Sequence, residues 1–108
     1  MRFARLIEQT ISLVDVATTE STATIDLDQA DKYSVQVTAT ALASIAHFEA
    51  SNDGTNWTEL DDASLAEDET TVFEQPNVAY RYARVTLEND DMDDVSADCL
   101  FLVIGDAV

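Results

Sequence analysis

The chain has 108 residues, 46% of them hydrophobic, and its 22 acidic side chains against 5 basic ones give a formal net charge of −17. This length suits one domain, residues 1–108, able to bury roughly 60 to 70% of its unfolded surface, and the apolar content sets the chain apart from disordered acidic tails, which cannot offset chain entropy. A field of this sign repels phosphate backbones and anionic lipid, which argues against direct nucleic-acid and membrane partners.

In chain order, the first segment is Met1-Arg2-Phe3-Ala4-Arg5-Leu6-Ile7, which carries two of the five cations but no apolar stretch of signal-peptide length after them. Residues 3–7 and 11–16 read as two strands separated by Glu8-Gln9-Thr10, and residues 1–8 could serve as an arm. Ala23, Ile25 and Leu27 then alternate with Thr22, Thr24, Asp26 and Asp28, and after a short polar loop Tyr33, Val35, Val37 and Ala39 repeat the pattern. Each is the period-two signature of a strand with one face in a core and one in water. Residues 39–46 contain good helix formers but are too short and too closely flanked by strand patterns to be read as a helix.

Next, Ile45-Ala46-His47-Phe48-Glu49-Ala50 and Trp57-Thr58-Glu59-Leu60 flank Ser51-Asn52-Asp53-Gly54-Thr55-Asn56, a hairpin signal with its turn at Asp53-Gly54. Residues 61–68 read as a loop, Val72 and Phe73 as part of a short strand before Gln75-Pro76-Asn77, and Ala83, Val85 and Leu87 as the inward face of another. Glu88-Asn89-Asp90-Asp91-Met92-Asp93-Asp94 suits an exposed acidic loop. The last run, Cys99-Leu100-Phe101-Leu102-Val103-Ile104, is apolar on both parities, which predicts a central strand buried on both sides or a strand at a subunit contact. The expected fold is all-β, an antiparallel β-sandwich or jelly roll of about eight strands.

Catalytic chemistry finds little support. The single histidine, His47, has no motif around any serine to serve as its nucleophile, and reads as a structural residue on a polar face. One histidine and one cysteine do not make a transition-metal cluster, and Cys99 reads as a buried small hydrophobe. No cofactor is expected; only calcium has a physical case, because Asn52-Asp53-Gly54-Thr55-Asn56 and Asp90-Asp91-Met92-Asp93-Asp94 offer the oxygens that a hard cation takes. Trp57 is expected to anchor the core at the hairpin base, and Arg84 to pair with acids on a neighbouring strand.

The pairing of Ser51-Asn52-Asp53-Gly54-Thr55-Asn56-Trp57 with Tyr80-Arg81-Tyr82-Ala83-Arg84-Val85 resembles two groups of β-sandwich modules: small structural subunits of tailed-phage virions and discoidin-like modules of the coagulation-factor type. The first resemblance implies a non-enzymatic capsid decoration, cement or head-tail subunit, made in a host cytoplasm and carried in the virion. Its partners would be the major capsid protein or another virion protein, and it would form a homo-oligomer. The second implies a carbohydrate-binding or cell-surface adhesion module with Trp57, Tyr80 and Tyr82 as its platform. For the subunit reading, the expected interface is Arg2, Phe3, Arg5 and Leu6, the least acidic segment, together with Phe101 of the doubly apolar terminal run.

Overall fold

A computed structural model of the chain describes residues 1–13, 19–39, 44–66, 68–89 and 95–106. Among them, nine strands form two sheets: β1 (Arg2–Leu13), β2 (Thr19–Ser21), β3 (Ile25–Asp26), β4 (Ala30–Ala39), β5 (Ser44–Ser51), β6 (Thr58–Leu65), β7 (Thr70–Gln75), β8 (Tyr82–Asn89) and β9 (Val95–Asp106). The first sheet has the order β1-β9-β4-β7; the second has the order β2-β8-β5-β6, with β3 also on β8. All strand pairs are antiparallel. Apart from the β2–β3 step and the β5–β6 hairpin, each successive strand lies in the opposite sheet. The all-β sandwich expected from the alternation is what forms.

The period-two patterns explain the core. Tyr33, Val35, Val37 and Ala39 of β4 are buried, as are Ala83, Val85 and Leu87 of β8 and Cys99, Phe101 and Val103 of β9. Between the sheets Phe48 stacks on Phe73 with ring centroids 5.3 Å apart, and Tyr33 lies 5.5 Å from Phe48. Contacts of this kind add about 0.5–1.5 kcal/mol per pair beyond the area they bury. Burial pushes the Tyr33 hydroxyl above the usual tyrosine range and the Cys99 thiol up to about 12, so Cys99 behaves as the small hydrophobe its sequence context suggests.

Several expectations change. The two N-terminal strands are one, since β1 pairs without a break along β9 from Arg2↔Asp106 to Leu13↔Val95; residues 14–16, expected to extend the second of them, lie outside the described residues. Residues 2–8 are therefore the first half of an edge strand rather than an arm. Thr22, not Ala23, turns inward, because its Oγ1 accepts the Val85 N–H at 3.1 Å. Residues 61–65, read as loop, complete β6: the register shifts between Phe48 and Glu49, and Leu65 then reaches the core. Residues 40–43, 67 and 90–94, and with them much of the helix-former run and the second acidic loop, fall outside the described residues.

One glycine is fixed by close approach. A Cβ on Gly105 would sit 2.0 Å from the Gln29 carbonyl oxygen, where the chain turns with Gln29 at φ 65° to enter β4.

Candidate functional site

Strand alternation splits the expected interface segment between two faces. On β1, Arg2, Ala4 and Leu6 share the parity of Asp106, Ile104 and Leu102 of β9, whereas Phe3, Arg5 and Ile7 share that of Gly105, Val103 and Phe101. The second set faces the other sheet. Phe101 is fully buried there and is not available to a partner of the folded chain; Phe3 is half-buried against the core. Arg5 donates to the Asp26 carbonyl oxygen at 3.0 Å and lies over the Phe3 ring at 5.4 Å. Arg2 is held by the carboxylates of Asp31 and Asp106, whose hydrogen bonds raise its pKa.

Leu6 remains outside, 69% exposed, and it has company. Leu102 lies opposite Leu6 and opposite Ser34, Leu100 opposite Glu8 and Gln36, and Gln36 opposite Val72. Val72 is 58% and Leu100 37% exposed. The outer face of the first sheet thus carries aliphatic side chains from three of its four strands, exposed at Leu6, Leu100 and Val72 and half-buried at Leu102, with Ser34 and Gln36 of β4 between β9 and Val72. Beside it lies a groove of about 330 Å³ lined by Lys32, Ser34, Glu74, Pro76, Leu102 and Ile104. The terminal strand is central, as its double apolar parity suggests, but only its odd-numbered side is buried.

The outer face of the second sheet is built from charge instead. Glu49 accepts from Arg84 Nε at 2.8 Å and from the Thr86 hydroxyl, and the Arg84 guanidinium lies 4.1 Å from the centre of the Trp57 ring. Arg84 therefore does pair with an acid on the adjacent strand. Trp57 does not anchor the core: it precedes β6, stays half-exposed, and is stacked under Arg84. His47 has Glu59 on Nδ1 and Glu88 on Nε2 at 3.2 Å. Burial opposes charging this imidazole, but the two carboxylates outweigh it and raise its pKa.

At the hairpin tip the Asp53 carboxylate accepts from the Ser51 hydroxyl, the Thr55 and Asn56 N–H groups and the Asn56 side-chain amide. The two backbone N–H bonds are the main cause holding its pKa well below the usual carboxylate range. Gly54 takes a φ of 77°, as its turn requires. The carboxylate considered for calcium is thus already engaged in closing its own loop.

No protein-family model matches this chain, and no curated protein resembles it in sequence. Solved structures do resemble it in shape. PirA superposes with a TM-score of 0.66 at 12% identity, covering 87% of this chain and 92% of its own. The PBSX exported protein XepA matches with a TM-score of 0.69 at 17% identity over 98% of this chain, which corresponds to 38% of XepA. The SPBc2 prophage-derived protein YomS matches with a TM-score of 0.59 at 10% identity, covering 92% of this chain and 96% of its own. At these identities the likeness is one of fold, and it places the chain among small β-sandwiches that include prophage-derived proteins.

Proposed function

We propose that this chain, whose strand order we read as a jelly roll, is a non-enzymatic structural subunit of a bacteriophage-type particle. It would act in capsid decoration or in the head-tail region by docking the outer face of the first sheet onto another particle protein. The observation that carries this reading is the exposure of Leu6, Val72 and Leu100, with half-buried Leu102 between Leu6 and β4, on a protein of net charge −17. Exposed aliphatic side chains gathered on one face of an otherwise highly charged molecule mark a contact surface. The fold likeness to prophage-derived proteins supports the same reading.

The charge also argues for the kind of partner. Two copies of so acidic a chain repel one another until something else neutralises them, so the favoured occupant is a different protein with a neutral or basic patch. Lys32, on the rim of the groove, and the broad four-stranded surface suit a lattice protein better than a flexible peptide. The test is co-expression with any major capsid and head-tail proteins encoded beside this chain, followed by gradient sedimentation of the particles and light scattering of the free subunit. The wild type should co-sediment at fixed stoichiometry, and the Leu6→Asp/Val72→Asp double variant should fold normally and bind at least 100-fold more weakly. Such a loss corresponds to about 2.7 kcal/mol, the scale of an interface hot spot. Failure to sediment with any particle, undiminished binding by the double variant, or a dimer that buries this face without particle binding would overturn the reading.

A further inference from the structure

The register shift in the β5–β6 hairpin places side chains together that strict alternation would separate. Residues three apart on a strand point to opposite faces, so Glu59 and Asp62 should not meet. Because Asp61 pairs with Phe48 and Glu59 with Glu49, Leu60 is the extra residue. It packs against the core, and both Glu59 and Asp62 emerge on the outer face, with Asp62 directly opposite His47. Bulges that re-aim side chains in this way are common at sheet edges, where β6 lies, and next to functional sites.

We propose that His47, Glu59 and Asp62 form a binding site for a divalent transition cation of the zinc class, with Glu88 as the residue that orients the imidazole. The ligand atoms of the three residues lie within 4.8 Å of one another. Bonds of about 2.0–2.2 Å from a tetrahedral zinc ion bring its ligands to about 3.4 Å apart. Small rotations of the exposed Glu59 and Asp62 side chains bring the donors to that spacing, Glu59 moving away from Nδ1, with which it is now in direct contact, while His47 is flanked by β6 and β8.

The donor types favour this class of ion. One imidazole nitrogen with two carboxylates is a zinc or manganese set, whereas calcium requires six or more oxygens. The two ring nitrogens also have different neighbours. Nδ1 faces Glu59, and Nε2 faces Glu88 of β8 at 3.2 Å. With its proton on Nε2 and donated to Glu88, the ring presents the Nδ1 lone pair to Glu59 and Asp62. This carboxylate–histidine arrangement is the one that orients metal-bound imidazoles and increases their basicity. When the ring is protonated at both nitrogens, binding displaces the Nδ1 proton to solvent. Three protein donors leave the remaining coordination to water, and the ion would tie the edge strand β6 to β5. The long-range field of a −17 chain adds to the attraction for any divalent cation, so the test has to separate site binding from that background.

Tag-free full-length protein is titrated with zinc chloride by calorimetry and by thermal melting at pH 7.5, with magnesium chloride as the control. The expected result is one saturable zinc site per chain, a rise in melting temperature at least twice that in equal magnesium, and at least tenfold weaker binding in Asp62→Asn and in His47→Gln. Asp62 is exposed, so its variant keeps the fold. Glu74→Gln, an acid on the opposite sheet, should bind as the wild type does. In a long-range proton–nitrogen spectrum zinc should shift Nδ1 of His47 and leave the Nε2 proton in place. Non-saturable binding, equal stabilisation by magnesium, retained affinity in Asp62→Asn, or coordination through Nε2 would overturn the proposal. Particle docking uses the other sheet, so either reading can fail without the other.

Discussion

The two outer faces of the sandwich treat the same excess of acid in opposite ways. On the second sheet the acids are spent locally: Glu49 on Arg84 and Thr86, and Glu59 and Glu88 on His47. Even Trp57 there is covered by a cation. On the first sheet Leu6, Val72 and Leu100 stand open to solvent, with no such network over them among the described residues. The contrast teaches that a chain with 5 basic residues can match the acids of one face internally and still leave aliphatic side chains uncovered on the other. Surface charge that is internally matched offers a partner little, whereas uncovered aliphatic surface gains by being removed from water.

The largest test of this contrast uses neighbours on one strand. Phe101→Ala should cost about 3–5 kcal/mol of folding stability by urea denaturation, the range for emptying a buried phenylalanine site. Leu100→Ser, one residue away on the outer face, should cost well under half as much. Comparable losses would mean that the two sides of β9 are not inner and outer as described.

An intermediate effect is expected on the second sheet. Arg84 joins β8 to β5 through Glu49 and covers Trp57, and both ends of the Arg84–Glu49 pair are mostly buried, with side-chain exposures of 27% and 18%. Arg84→Ala should therefore lower stability by about 1–2 kcal/mol and make Trp57 fluorescence more quenchable by iodide. Arg84→Lys should recover only part of this, because lysine lacks the planar group that stacks and the fork of donors. A neutral Arg84→Ala change would show that the charge network holds nothing together.

The smallest effect is the pH dependence of the metal-free protein. The folded-state pKa of His47 is raised above the ordinary histidine value of about 6.5, so the folded state binds the proton more tightly than the unfolded chain. The stability this contributes is fully present below about 6.5 and is lost as pH rises through the raised folded value. The groups facing the ring are the carboxylates of Glu59, Asp62 and Glu88. Denaturation midpoints of the wild type should thus fall between pH 5.5 and 8.5, and His47→Gln should flatten the slope. An unchanged slope would assign the dependence to other groups.

Much of the inner sandwich was legible in the chain. Tyr33, Val35 and Val37, and likewise Ala83, Val85 and Leu87, alternate with polar neighbours, and a two-residue period leaves one way to bury them. Arg84 was legible as well, because acids abound and cations do not. Phe101 was misassigned for a definite reason. A run that is apolar on both parities does not reveal which side faces the core, and β9 presents its odd side inward only because β1 and β4 flank it in that register. Trp57 was misassigned because bulk favours burial, while the guanidinium that covers it comes from a strand 27 residues along the chain.

By itself, then, the sequence determined the class of fold, the core parity of its regular strands and the hairpin turn at Asp53-Gly54, because these depend on local periodicity and backbone preference. The tertiary structure alone decided which apolar side chains stay in water and which acids meet His47. Both depend on register between strands distant in sequence. A single extra residue at Leu60 was enough to put Glu59 and Asp62 on one face, and a pattern read along one strand carries no trace of its partner's offset.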